Sequence, residues 1–186
     1  MDFSEFLDNQ SYSNNRYKDR ITSLKEKGFD PSNVEDGVES VVEKLESGAR
    51  SFVVYGEPQS GKTEFMIALT CALLDSGKQT IFVVMNDNTT LEIQNFRRFK
   101  DAPQINPTPM RHTEFMDLRE EDKKTRTQRV IFCRKNSRNL EKLIVETRFL
   151  KDRVVIDDEA DYASPNSKIK KELQSQINLK VGELGQ

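Results

Sequence analysis

Eight residues, Gly56-Glu57-Pro58-Gln59-Ser60-Gly61-Lys62-Thr63, constrain this chain more than any other stretch. They fit the pattern G-x-x-x-x-G-K-[ST]. A short apolar run, Ser51-Phe52-Val53-Val54-Tyr55, precedes them, and Glu64 to Leu74 follows with helical spacing and a stop near Gly77. The first run reads as a buried strand and the second as a helix. Strand, glycine loop and helix start form a phosphate cradle, because backbone N–H groups point inward and the helix N-terminus adds positive partial charge. In such a cradle Lys62 reaches the β- and γ-phosphates and Thr63 ligates Mg²⁺. Gly56 to Thr63 are therefore the expected nucleotide-binding residues. The ordinary alternative, a glycine turn followed by a surface lysine, leaves the flanking strand and helix unexplained.

With 186 residues the chain suits one domain with a real core. Only 35% of it is hydrophobic and 32% is charged, so long polar segments are expected around a compact centre. The net charge of −2 argues neither for nor against a polyanionic partner, and any nucleic-acid contact would need a local basic strip. Cys71 and Cys133 sit in apolar runs without CxxC spacing, which points to buried, reduced thiols. No apolar stretch approaches the ~20 residues that span a bilayer, and the acidic start Met1-Asp2-Phe3-Ser4-Glu5 lacks a signal-peptide core. A soluble, cytoplasmic protein without membrane partners is expected.

Residues 1–30 read as an N-terminal helical appendage, with Tyr17, Ile21 and Leu24 on one face and Gly28 as a stop. Asn33 to Ser47 forms a second helix, with Val34, Val38, Val41, Val42 and Leu45 aligned. Thr80 to Met85 is a buried strand, Asn86 to Thr90 a loop with an N-cap, and Leu91 to Lys100 a helix carrying Arg97 and Arg98. From Asp101 to Gln128, prolines and charges break the order, and this polar insertion is expected to hold one short helix near Thr113 to Glu120. His112, the only histidine, reads as a surface residue. Val130 to Cys133 is a third strand running out through Arg134-Lys135-Asn136, and Ser137 can cap a helix reaching Leu150. Arg153-Val154-Val155-Ile156 is a fourth strand that ends in acid, Asp157-Asp158-Glu159-Ala160-Asp161. Residues 167–186 read as a C-terminal helix or the start of a linker. Strands alternating with helices predict an α/β fold, a parallel sheet covered on both faces, with ligand groups at the carboxyl ends of the strands.

An apolar strand ending in acid is the expected partner of a phosphate cradle, one carboxylate holding Mg²⁺ and the next polarising the attacking water. Strand alternation puts Asp157 and Glu159 on one side and Asp158 on the other, so spacing alone leaves the metal acid open.

Asp158-Glu159-Ala160-Asp161 resembles the DEAD form of motif II in superfamily 2 helicases and translocases, and Gly56 to Thr63 resembles their motif I. That resemblance implies a RecA-like lobe over 31–166 that binds and hydrolyses ATP with Mg²⁺. It assigns Lys62, Asp158 and Glu159 to catalysis, with Thr63 and Asp158 at the metal. Asp157 stands where that family usually has an apolar residue. Arg134-Lys135-Asn136, Leu140 to Leu143, Ile156 to Asn166, and Thr89 to Phe99 narrow the likeness to bacterial ATPases that carry a Z-one domain and occur in restriction and anti-phage systems. It implies contacts of Arg97, Arg98, Arg134 and Lys135 with a nucleic-acid strand, DNA by the same likeness. No motif III and no second RecA-like lobe with its arginine finger are present, so the lobe is incomplete and a partner lobe or subunit is expected. A missing finger costs about 10³–10⁵ in rate. The competing readings are a small-molecule P-loop kinase, with residues 119–129 as its lid, and a non-catalytic lobe docking on a motor or nuclease subunit.

Overall fold

A computed structural model describes residues 15–51, 53–55, 61–158 and 176–185. The chain divides into two compact units, Met1–Gly77 with Ala102–Asn106, and Lys78–Asp101 with Pro107–Gln186.

The first unit is helical, with α1 (Arg16–Glu26), α2 (Ser32–Glu46) and α3 (Lys62–Asp75). Helix α3 is apolar on every side, and Met66 to Leu74 are all buried. A helix of that kind needs neighbours around it. Tyr17, Ile21 and Leu24 of α1 and Val34, Val38, Val41 and Val42 of α2 are the apolar faces buried in this unit, as their spacing predicts. Helix α2 comes close because Gly37 has no side chain: a Cβ there would stand 2.9 Å from the Phe65 ring. Polar ties orient α1. Arg16 Nη1 lies 3.0 Å from Asp75 Oδ1 and the Tyr17 N–H donates to Asp75 Oδ2 at 2.9 Å. Arg20, itself buried, pairs with Glu64.

One expectation fails here. Ser51 and Val53 to Tyr55 form no strand, and Val53 and Tyr55 are 78% and 87% exposed. An apolar, β-branched run becomes a strand only where a neighbour takes up its N–H and C=O groups. Among the described residues every strand belongs to the other unit.

The second unit is a four-stranded, all-parallel sheet in the order β2-β3-β1-β4: β1 (Thr80–Met85), β2 (Met110–Arg111), β3 (Arg129–Arg134) and β4 (Arg153–Asp157). It is the α/β architecture of a RecA-like lobe. Central β1 is buried throughout, as the run of Ile81, Phe82, Val83 and Val84 requires for a strand packed on both faces. Phe82, Val84, Ile131 and Cys133 face a core completed by Phe115 of α5 (His112–Met116), Leu140 and Leu143 of α7 (Ser137–Thr147) and Leu184 of α8 (Gln176–Leu184). Phe132 meets Phe96 and Phe99 of α4 (Thr89–Lys100) edge to face, at 5.2 and 4.8 Å between ring centroids. Helices thus cover both faces.

The polar insertion is ordered. Alongside β2 and α5 it holds α6 (Glu120–Lys124), while 102–106 belongs to the first unit. Two basic residues in and beside it are buried and paired, while Arg119, Glu120, Glu121, Lys124 and Arg126 are exposed. Buried Lys123 pairs with Glu120 and Glu146 at 2.9 and 3.0 Å, and buried Arg129 donates to the carbonyls of Asp122 and Thr125, both at 2.8 Å. Arg111 Nε reaches Glu92 Oε1 at 3.0 Å while its guanidinium lies 4.0 Å over Phe96. His112 is half-buried rather than a surface residue. It is hydrogen-bonded to the Phe132 backbone and the Asn139 side chain, and burial holds its pKa below the usual value against those bonds. Helix α7 is capped by Asn136, whose side chain accepts from the Asn139 N–H at 2.9 Å, in place of Ser137.

Candidate nucleotide and metal site

The phosphate-cradle residues fall in the first unit. Gly56 to Ser60 lie outside the described residues. Gly61 is the N-cap of α3 with φ +82°, a left-handed conformation that glycine adopts without strain, and it turns the chain into the helix. Lys62 is the first helical residue and is exposed, and Thr63 follows, half-exposed. The N–H groups of this first turn have no intrahelical acceptors, which is the local requirement for holding phosphate. Asp75, at the far end of α3, is pushed up in pKa by burial, against the Tyr17 N–H and Arg16.

The acid end falls in the second unit. Strands β1, β3 and β4 are parallel and in register, so Met85, Arg134 and Asp157 come out at one end of the sheet. Two backbone bonds extend that register. The Lys135 N–H donates to Met85 O at 2.7 Å and the Asp158 N–H to Val84 O at 2.9 Å. Asp158 is half-exposed; Glu159 to Asp161 lie outside the described residues.

Asp157 has a partner that sequence reasoning missed. Lys135 Nζ stands 2.6 Å from Asp157 Oδ1, a buried oxygen that otherwise takes no hydrogen bond, and the lysine side chain is 1% exposed. Burial raises the Asp157 pKa and the Lys135 ammonium opposes that rise. Lys135, expected at a nucleic-acid contact, thus has its ammonium buried against a carboxylate in this structure. The available signal was Asp157 itself, since an acid in an apolar strand needs a nearby cation.

The other expected nucleic-acid residues are differently placed. Arg134, 36% exposed, donates to Thr89 Oγ1 at 3.0 Å and lies 3.8 Å from Asp87 Oδ1. Asn136 Nδ2 donates to that same Asp87 oxygen at 3.3 Å, so the loops after β1 and β3 are tied together. Arg97 and Arg98 lie on the exposed face of α4, Arg97 within 3.6 Å of Asp101. A cavity of about 290 Å³ opens at the opposite, amino ends of the strands, lined by Thr80, Arg129 and Asp152, and plays no part in this arrangement.

The donors expected for a metal, the Thr63 hydroxyl and the Asp158 carboxylate, are hard oxygen ligands. They suit Mg²⁺, which takes one or two protein ligands and completes its shell with water and phosphate. Among the described residues no group of three or more His, Cys, Asp or Glu side chains forms a metal cage, and a Mg²⁺-nucleotide site needs none.

A family model described as type III restriction enzyme, res subunit, matches residues 33–181, about four-fifths of the chain. The chain belongs to that family. The res-subunit domain is a superfamily 2 helicase-like ATPase domain, and the matched span runs from α2 through the phosphate cradle and the acid-ended strand into α8. No curated protein and no solved structure matches the chain. Among the described residues no helix is long and apolar enough to cross a membrane.

Proposed function

We propose that this res-subunit domain binds and hydrolyses ATP as the N-terminal lobe of a superfamily 2 motor acting on DNA, in restriction or phage defence. The observation that carries the reading is the family match over 33–181, which spans both the Gly56–Thr63 cradle and the acid run after β4. The left-handed Gly61 opening α3 supports it independently. Residues 31–166 act as the ATPase lobe. Lys62 binds the β- and γ-phosphates, Thr63 and Asp158 hold Mg²⁺, and Glu159 polarises the attacking water. The motif II residues are of the DEAD type, in the manner of the Z-one-associated subgroup. Mg²⁺, when bound, neutralises charge on the β- and γ-phosphate oxygens. Arg97, Arg98 and Arg134 contact the nucleic-acid backbone. A second lobe or partner subunit supplies the arginine that completes the site.

Nucleotide binding and phosphate release test this directly. Lys62→Ala is expected to abolish Mg-ATP binding, whereas Glu159→Gln keeps binding and loses turnover. ATP affinity unchanged in Lys62→Ala would overturn the reading. Salt dependence of DNA binding tests the arginines: each phosphate contact removed by Arg97→Ala or Arg98→Ala lowers the slope by about 0.7–0.9.

A further inference from the structure

Strand order makes the Lys135–Asp157 contact unusual. Lys135 follows β3 and Asp157 ends β4, and β1 lies between those strands. Neighbouring strands are about 4.8 Å apart, so the two backbones are separated by about 10 Å, and the side chains close that gap across the end of β1. Both residues sit beside backbone bonds to β1, from the Lys135 N–H to Met85 O and from the Asp158 N–H to Val84 O. The ion pair is therefore a strut across three strands, and it ends on the residue immediately before Asp158. A carboxylate next to a metal acid is also a competing ligand unless a cation occupies it. Lys135, 1% exposed and 2.6 Å away, does so.

We propose that Lys135 is a positioning residue: by holding Asp157 across the end of β1 it fixes the close of β4 and leaves Asp158 as the carboxylate presented to Mg²⁺. This rests on the ATPase reading above. It goes beyond that reading by giving Asp157 and Lys135 a joint role in placing the metal acid.

The test compares ATP affinity in Mg²⁺ with ATP affinity in EDTA, beside the thermal midpoint, in the full chain. Asp158→Asn is expected to abolish the Mg²⁺ enhancement, and Asp157→Asn, which keeps an Oδ1 that can accept from the Lys135 ammonium, to keep most of it. Lys135→Met combined with Asp157→Leu replaces a buried pair by apolar groups, a change that is often neutral for stability. That double variant is expected to keep its midpoint within a few degrees of wild type and still lose about tenfold of the enhancement, since removing a group that orients a metal ligand typically costs about 10–100-fold in metal affinity. Full enhancement in a stable double variant would reduce the pair to packing and overturn the proposal. So would an Asp157→Asn loss as deep as that of Asp158→Asn, a comparison that stands even if the double variant does not fold. Wild type binding ATP equally with and without Mg²⁺ would overturn the proposal alone, whereas ATP affinity unchanged by Lys62→Ala would overturn the ATPase reading beneath it.

Discussion

Phe52-Val53-Val54-Tyr55 and Ile81-Phe82-Val83-Val84 are nearly interchangeable as text: each is four largely apolar residues with two adjacent valines and at least one aromatic. Ile81 to Val84 are fully buried in the central strand, paired on both edges, whereas Val53 and Tyr55 are largely exposed. The difference lies in the neighbours. β3 and β4 accept and donate along both edges of β1, and Leu140 and Leu143 of α7 pack on the face that carries Phe82 and Val84. Residues 53–55 have no strand beside them in their own unit among the described residues. β-propensity states what a segment can become, and pairing decides whether it does.

The largest expected effect tests that contrast directly. Phe82→Ala opens a cavity in the second unit's core and is expected to cost about 3–5 kcal/mol. Tyr55→Ala, at a site 87% exposed, should stay within about 0.5 kcal/mol. Denaturant unfolding of both variants checks this, and a Tyr55→Ala loss comparable to that of Phe82→Ala would show the first run to be packed in solution.

Two glycines repeat the contrast on a smaller scale. Gly37→Ala pushes a Cβ to 2.9 Å from the Phe65 ring and is expected to destabilise by about 1–3 kcal/mol. Gly182→Ala, in α8 with nothing within 4 Å, should instead stabilise by about 0.4–1 kcal/mol. Thermal midpoints of opposite sign would confirm that surroundings, not residue type, set the outcome.

The thiols extend it to pH. Burial pushes both Cys71 and Cys133 from 9.0 up to about 12. Neither should react with a thiol reagent at pH 8 until the chain unfolds. With the folded pKa raised, the contribution is complete below the unfolded value and is lost as pH rises from 9.0 through about 12.

The smallest effect belongs to His112. Its folded pKa is lowered by burial, so the unfolded chain binds the proton first and stability falls as pH drops through the ordinary histidine range. His112→Asn should flatten the midpoint's dependence between pH 7 and 5; an unchanged slope would assign it to another group.

Reading the residues placed most elements correctly where a local signal was complete. The spacing of Tyr17, Ile21 and Leu24 and of Val34, Val38, Val41 and Val42 carried α1 and α2, and the N-cap expected within Asn86 to Thr90 is Asn88, with α4 beginning two residues before the expected Leu91. Beyond the one short helix expected near Thr113 to Glu120, which overlaps α5, the polar stretch 101–128 was illegible, because its order comes from pairs such as buried Lys123 with Glu146, 23 positions apart, which no local pattern encodes. Lys135 was hidden as a buried cation for the same reason. Beside Arg134 it looks like a surface cation, and only the strand order brings it to Asp157.

Sequence alone therefore determined the covalent logic of the candidate site: a glycine before Lys62 where the helix must begin from a left-handed turn, an apolar strand running into acid, and alternation that required a parallel α/β sheet. Tertiary structure decided which apolar runs became strands and which charges were sheltered. Those outcomes depend on hydrogen-bond partners and counter-ions supplied from distant parts of the chain. The free energy of an unpaired N–H, a buried carboxylate or a buried ammonium is set by what lies within a few ångströms in space, not by what lies next to it in the sequence.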